Sequence, residues 1–148
     1  MKDSLKIVGT AIGWYTDEDG NKLHYTEKKN AIVTVGFDFV RRAIADSSRP
    51  SVMKYVAIGA GSSATSVSMT EMEDEGNRVE GTWEFAEDGK SFTITAVFPR
   101  NSITKPIQEA AVFNSDVGGI MFDRAVYAEA IPALPNLEFT QTLKFELA

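Results

Sequence analysis

Two residues of opposite charge, Glu109 and Arg124, have the types and spacing that could support acid–base chemistry. Each lies in an otherwise apolar segment, the first in residues 107–113 and the second in residues 120–131. A carboxyl group beside a guanidinium could serve as a general acid whose pKa the neighbouring charge modulates. The simpler interpretation is a partly buried structural ion pair, costly to break because the surviving charge would be left unpaired. We favour the structural ion pair.

The other reactive side chains do not have the spacing of a catalytic site. His24 is the only histidine and stands beside a polar turn, which is typical of a solvated strand residue. The serines between Ser62 and Ser68 lack the Gly-x-Ser-x-Gly pattern of a nucleophile elbow. The acidic run of residues 71–75 is typical of a solvated face. The sequence therefore predicts a protein that is not an enzyme.

Two short segments resemble ligand-binding loops only in part. Residues 17–21 (DEDGN) begin like a calcium loop, but Lys28 occupies the position where such a loop requires a glutamate. The glycine-rich residues 59–66 follow a predicted strand, but they lack both the Gly-Lys-Ser/Thr ending of a P-loop and the third glycine and long helix of a dinucleotide site. We therefore predict two turns, with no metal and no cofactor.

Four aromatic residues could form a surface that recognises a ligand or a partner: Trp14, Tyr15, Trp83 and Tyr127. Aromatic rings offer flat apolar faces on which sugar rings can stack. The four residues are dispersed among predicted strands, which favours positions in the core or at an interface. The sugar-binding interpretation stays open as the alternative.

The elements that must position Glu109 and Arg124 are two strands around the turn 114–119, a cluster of Asn, Ser, Asp and Gly that suits a chain reversal. If Phe113 faces Ile120, then Ala111 faces Phe122 and Glu109 faces Arg124. We expect this antiparallel register, with the two charged groups within about 8 Å of each other, because it joins opposite charges and keeps one face apolar.

Composition excludes several classes of function. The chain has 148 residues, no cysteine, a formal net charge of −6 and 43% apolar residues. Its basic clusters, Lys28–Lys29 and Arg41–Arg42, are too small to neutralise nucleic acid. No apolar run reaches the roughly 18 residues that cross a bilayer, and the N-terminus lacks the apolar core of a signal peptide. We expect a soluble chain that binds neither nucleic acid nor membrane.

The remaining elements follow from hydrophobic periodicity. Residues 31–40 alternate apolar and polar positions and are predicted to form a strand, followed by a short helix over residues 40–46. Ser68 and Glu71 have capping-box spacing, which predicts a second short helix over residues 68–76. From residue 77 onward the pattern is uniformly β, with a hairpin whose turn lies at residues 87–90.

The last strand, residues 137–147, carries large apolar side chains on one face and polar ones on the other, so we expect it inside the main sheet. About nine strands that follow one another through short turns predict a mainly β fold. We expect a single domain over residues 1–148, built as an antiparallel β-sandwich or jelly-roll-like body with one or two short helical turns.

Four segments, in this order and spacing, also indicate a family. They are Tyr55–Ala64 (YVAIGAGSSA), Glu75–Arg78 (EGNR), Ile107–Asn114 (IQEAAVFN) and Gly118–Arg124 (GGIMFDR). Together they resemble a group of tailed-bacteriophage structural proteins that includes tail-fibre and other virion appendage proteins. The resemblance extends from Met53 to the C-terminus.

The resemblance implies a virion component without catalytic activity, located in the tail, neck, baseplate or a capsid appendage. Its implied partners are further copies of the chain, in a homo-oligomer or symmetric array, and other virion proteins. The alternative function is that of a carbohydrate- or receptor-binding module of a phage fibre, for which the aromatic residues are the support.

Overall fold

The computed structural model describes residues 6–148, which form ten strands and one helix. The elements are β1 (Ile7–Thr16), β2 (Lys22–Lys29), β3 (Ala31–Ile32), α1 (Thr34–Ala45), β4 (Tyr55–Gly59), β5 (Glu75–Glu80), β6 (Thr82–Phe85), β7 (Ser91–Phe98), β8 (Ile107–Phe113), β9 (Asp123–Ile131) and β10 (Glu138–Leu147). Within this range no helix is long and apolar enough to cross a membrane.

The strands form two five-stranded antiparallel sheets that pack face to face as a sandwich. Sheet 1 has the order β2-β1-β10-β7-β6 and sheet 2 the order β3-β9-β8-β4-β5. The expected mainly β sandwich with a short helix is therefore confirmed. Aligned sheets of this kind bury the inward-facing side chains of both layers in one shared core.

The alternation in β10 explains its central position. Phe139, Gln141, Leu143 and Phe145 are fully buried, while Thr140, Thr142 and Lys144 between them are exposed or half-buried. β10 pairs with β1 on one side and β7 on the other over most of its length. The prediction that the last strand lies inside the main sheet is confirmed.

The predicted strand over residues 31–40 is wrong: only Ala31–Ile32 is a strand, and α1 occupies Thr34–Ala45. The helix also begins earlier than the predicted 40–46. Its buried Gly36 faces Phe122, whose carbonyl oxygen lies so close that a Cβ on Gly36 would be 2.1 Å from it. Phe39 and Val40 lie three and four positions further along and pack against the core, which is helical spacing.

The predicted helix over residues 68–76 is also wrong. This segment forms turns and then enters β5 at Glu75, which pairs with Gly59 of β4. The backbone N–H groups of Glu73 and Asp74, which a helix beginning near Ser68 would use internally, donate instead to the Glu109 carboxylate. Tertiary hydrogen bonds thus replace the capping box that the spacing suggested.

The β pattern after residue 77 is interrupted at Gly81, so β5 belongs to sheet 2 and β6 to sheet 1. A Cβ on Gly81 would lie 2.6 Å from Cγ1 of Ile94, so no larger residue fits where the chain crosses between the sheets. The predicted hairpin beyond it is present, with β6 paired to β7.

Candidate functional site

The expected ion pair between Glu109 and Arg124 is present on the outer face of sheet 2, beneath the loop that follows β4. Arg124 Nε donates to Glu109 Oε1 at 2.9 Å, and both side chains are fully buried. Arg124 Nη1 donates to the carbonyl oxygen of Ser63 at 2.8 Å and to Thr65 Oγ1 at 3.1 Å. The guanidinium therefore hydrogen-bonds through Nε to Glu109 and through Nη1 to the loop that follows β4.

The register of the hairpin is not the predicted one. The observed pairs are Glu109–Val126, Ala110–Ala125 and the bridge Phe113–Met121. From the Phe113–Met121 bridge to the Ala110–Ala125 pair there are three steps along β8 but four along the opposing strand. The extra residue on the opposing strand is a β-bulge. Arg124 is consequently a diagonal neighbour of Glu109 and not its direct partner. Its long side chain still spans the distance.

Asp123 stabilises this bulge from within. Its Oδ1 accepts the Val112 N–H at 3.0 Å, and its Oδ2 accepts from Asn30 Nδ2 at 2.5 Å. Asp123 is fully buried, and the burial raises the pKa of its carboxyl to about 7. No sequence pattern marked Asp123 or Asn30, because they lie far apart in the chain and meet only where β3 joins β9.

The Glu109 carboxylate also binds three backbone N–H groups. Oε2 accepts from Gly61 at 2.8 Å and from Asp74 at 2.7 Å, and Oε1 accepts from Glu73 at 3.0 Å. A carboxylate has about four acceptor positions. With Arg124 as the fourth donor, these positions are occupied by groups of the chain itself.

The glycine-rich loop after β4 is shaped by this carboxylate. A Cβ on Gly61 would lie 2.4 Å from Glu109 Oε2, and one on Gly59 would lie 2.3 Å from the carbonyl oxygen of Asp74. Glycine is therefore required because the backbone approaches the buried charge closely. A phosphate loop offers its N–H groups to a ligand, whereas here Gly61 offers its N–H group to the protein's own carboxylate.

Arg78 fixes the turn of the β8–β9 hairpin. Its Nη1 donates to the carbonyl oxygens of Ser115 at 2.9 Å and Gly118 at 2.8 Å. Its other nitrogens make a bidentate ion pair with Glu75, at 2.9 and 2.6 Å. The guanidinium carbon lies 3.6 Å from the centre of the Phe113 ring. One mostly buried arginine thus joins β5 to the turn and to β8.

The structure does not bring together the four aromatic residues of the proposed surface. Tyr15 and Tyr127 are buried: the Tyr15 hydroxyl donates to Pro132 and the Tyr127 hydroxyl to Gln141 Oε1. Burial raises the pKa of both hydroxyls. Trp83 is half-buried and donates to the Met53 carbonyl oxygen. Trp14 points to the opposite side of β1 from Tyr15, since adjacent strand residues face opposite ways.

Trp14 instead forms a small surface cluster with two residues of β2. Its ring stacks with that of Tyr25, with centroids 6.1 Å apart, and Lys22 Nζ lies 4.2 Å from the Trp14 ring centre. Tyr25 is 54% exposed. The spacing of Trp14 and Tyr25 in the sequence held no sign of this contact, which the β1–β2 pairing creates.

The acidic residues after β1 form a turn between β1 and β2. The Asp17 carboxylate accepts the N–H groups of Asp19 and Asn21, so its oxygens bind the turn itself. These hydrogen bonds lower the pKa of Asp17. Throughout residues 6–148, no three side chains of His, Asp or Glu are grouped in a way that could hold a metal ion.

The arrangement built around Glu109, Arg124 and Arg78 is a buried framework that ties loops to sheet 2. Comparison of the chain with protein-family models, with curated proteins and with solved structures gave no significant match.

Proposed function

We propose that this protein is a structural component of a tailed-phage particle, acting through self-association and through docking to other virion proteins. The resemblance noted in the sequence is the basis of the proposal. The particle component has no catalytic task. Its position is the tail, neck, baseplate or a capsid appendage.

The observation that carries the proposal is that the resembling segments meet in space. The loop after β4 contributes Gly61 to the Glu109 carboxylate, and β9 contributes Arg124. The pair Glu75–Arg78 closes on the turn that follows β8. These residues form one connected framework, which supports a scaffold rather than a reaction centre as the basis of the pattern. A scaffold signature of this kind favours a structural function.

Particles made with and without the protein test this proposal. We expect mass spectrometry of particles purified from cells that carry the gene to detect the protein in fixed ratio to the other virion proteins. We further expect deletion of the gene to yield incomplete particles that added protein restores. A protein that stays in the soluble fraction while particles remain complete and infectious would overturn the proposal.

A second candidate, glycan or receptor binding, is favoured by the stack of half-buried Trp14 with exposed Tyr25. Its rings could support a sugar, and Lys22 could pair with an acidic group. Glycan-array binding that is lost in Tyr25→Ala and kept in Phe37→Ala would support this candidate, since Phe37 is an exposed aromatic residue elsewhere on the surface. Absence of binding by the intact protein would remove it.

A further inference from the structure

The two edges of sheet 1 carry opposite charge at the ends that would meet. At one edge, the Lys28–Lys29 end of β2 is basic, while the acidic turn of residues 17–19 precedes its other end. At the other edge, β6 and the turn after it contain Glu84, Glu87 and Asp88. The chain as a whole has a net charge of −6, so the basic edge is a local exception. Opposite potentials on two surfaces of one molecule favour contact between copies.

The side chains along both edges are also largely exposed. Every residue of β2 except Thr26 is exposed, so the strand is open on both of its faces. Phe85 of β6 is 80% exposed beside a depression of about 320 Å³ lined by Phe92 and Leu147. Among the described residues, β6 pairs only with β7 and β2 only with β1, and the end of β2 that leads into β3 lies close to β9. An edge strand left in this state presents free N–H and C=O groups to another chain.

The strand registers show how two copies would fit. Across the outer face of sheet 1, one row of paired residues runs Lys29, Thr10, Lys144, Thr93, Glu84. The neighbouring row runs Glu27, Ile12, Thr142, Thr95, Thr82. If a second copy continued the sheet beyond β6 in the same rows, its Lys29 would lie beside Glu84 and its Glu27 beside Thr82.

The direction of the strands is consistent with this continuation. Sheet 1 is antiparallel throughout and has five strands, so the edge strands β2 and β6 run the same way. A copy added by translation along the sheet would therefore pair its β2 parallel to β6. Glu84 and Lys29 would then form a cross-strand pair of opposite charge.

We propose that copies of this chain associate head to tail by extending sheet 1, with β6 of one copy beside β2 of the next. The inference rests on the self-association in the proposed function and names the surface that performs it. Such a contact uses different surfaces on each copy, so it generates rings or open arrays and not closed pairs. The exposed Phe85 would be covered by the alkyl stem of Lys28 of the next copy.

The association is weak in dilute solution because β6 has only four residues and parallel pairs are slightly less stable than antiparallel ones. It strengthens where copies are concentrated, as in a particle. Low salt also strengthens it, since the contact includes opposite charges near the surface. Sedimentation velocity of the wild-type chain at low salt should show concentration-dependent assembly, which added salt reverses.

Complementary charge reversals test the surface directly. Glu84→Lys/Glu87→Lys makes both edges basic, and Lys28→Glu/Lys29→Glu makes both edges acidic. We expect each variant alone to associate at least about 10-fold more weakly than the wild type, because like charges then meet. An equimolar mixture of the two should regain assembly, since each basic edge again faces an acidic one. Unchanged melting temperatures would show that both variants fold.

The matched control reverses charges on the outer face of sheet 1 away from its edges. Glu138→Lys/Glu146→Lys changes the net charge as much as the first variant but alters only β10, in the centre of the sheet. Association should persist in this control. If the control disrupts assembly while the edge variants do not, copies stack face to face and the inference is overturned.

Engineered cysteines test the register, because the natural chain contains none. Thr82→Cys/Glu27→Cys should form disulfide-linked multimers under mild oxidation, whereas Thr82→Cys/Lys22→Cys should not. Equal cross-linking of both variants, or a wild-type chain that stays monomeric at about 1 mM and low salt, overturns the inference. If the protein is found in particles but its self-association does not change in the edge charge variants, only the proposed contact between β6 and β2 is refuted. If self-association depends on the edge charges but the protein is absent from purified particles, only the proposed role in the phage particle is refuted.

Discussion

The carboxylate of Glu109 organises three segments that are far apart in the sequence. It binds Arg124 of β9 and the backbone of the loops at residues 61 and 73–74. A buried charge with four donors is stable only while all of them are present, because desolvation is expensive for any group left unpaired. The loops over sheet 2 therefore depend on a single side chain.

We expect Glu109→Gln to lower the free energy of unfolding by about 3 to 5 kcal/mol, since Arg124 would remain buried without its counter-charge. Urea denaturation measures the change. Glu80→Gln is the matched control: it removes the partner of Lys54 in an exposed ion pair and should cost no more than about 1 kcal/mol. Equal costs for the two variants would contradict the importance of burial.

Asp123 is expected to make stability depend on pH. Burial raises the pKa of its carboxyl from an ordinary 3.8 to about 7, so between these pH values the folded chain holds a proton that the unfolded chain releases. The stabilising contribution is full below the unfolded pKa and is lost as pH rises through about 7. Asp123→Asn retains an acceptor for Val112 and stays neutral.

The unfolding free energy of Asp123→Asn relative to wild type should therefore rise with pH in this window, by at most about 1.4 kcal/mol per pH unit, and level off above it. Chemical denaturation at pH 5, 6, 7 and 8 measures the trend. Asp88→Asn serves as the control, because hydrogen bonds lower the pKa of Asp88 to about 2 and its effect should be constant over these pH values. A flat profile for Asp123→Asn would show that Asp123 stays charged.

At the scale of elements, the position of α1 is set by a close contact between its backbone and that of a neighbouring segment. Gly36 is its buried residue, directly against the carbonyl of Phe122. A glycine inside a helix ordinarily lowers its stability relative to alanine. Here the missing side chain allows the helix to approach the backbone of Phe122, just before β9.

Gly36→Ala should consequently destabilise the protein by about 1 to 3 kcal/mol, against the usual preference for alanine in helices. Thermal unfolding followed by circular dichroism measures the effect. Arg41→Ala in the same helix should change stability by less than about 0.5 kcal/mol, because Arg41 is exposed. A stabilised Gly36→Ala variant would mean that the helix can move away from Phe122 at no cost.

β10 provides the matching case for a strand. Phe145 is fully buried and contacts the rings of Phe92 and Phe122, with centroids 5.6 and 5.2 Å away. Phe145→Ala should cost about 3 to 5 kcal/mol in urea denaturation, since the cavity would lie at the centre of the core. The adjacent Lys144→Ala, on the outer face, should stay within about 0.5 kcal/mol of wild type. Similar losses of stability in the two variants would contradict the assignment of Phe145 to the buried face and Lys144 to the outer face of β10.

For the whole molecule, the last strand joins the first part of the chain to the middle. β10 lies between β1 and β7, so removing it would separate sheet 1 into two pieces and expose the apolar faces of sheet 2. Truncation before Leu137 should abolish soluble expression, because the burial lost is comparable to the net stability of a domain, about 5 to 15 kcal/mol. A truncated chain that stays soluble and melts at the parent temperature would contradict this role.

Much of the molecule follows from local pattern. Period-two alternation in β7 and β10, with short turns between strands, was sufficient for the sandwich, because each half-buried strand must turn its apolar face to the same core. The ion pair of Glu109 with Arg124 was also predictable, since opposite charges on an apolar hairpin face have few other partners. These inferences needed only neighbours along the chain or across one turn.

What only the tertiary structure decided involves contacts between distant segments. The alternation in residues 31–40 was compatible with a strand, and the contact of Gly36 with Phe122 selected the helix. The exact hairpin register depended on the bulge at Asp123. Its carboxylate is held by Val112 of β8 and by Asn30, which lies between β2 and β3. The glycine loop and residues 73–74 took their form from the Glu109 carboxylate. A buried charge or a close backbone approach is satisfied only when remote groups meet, so local sequence cannot specify it.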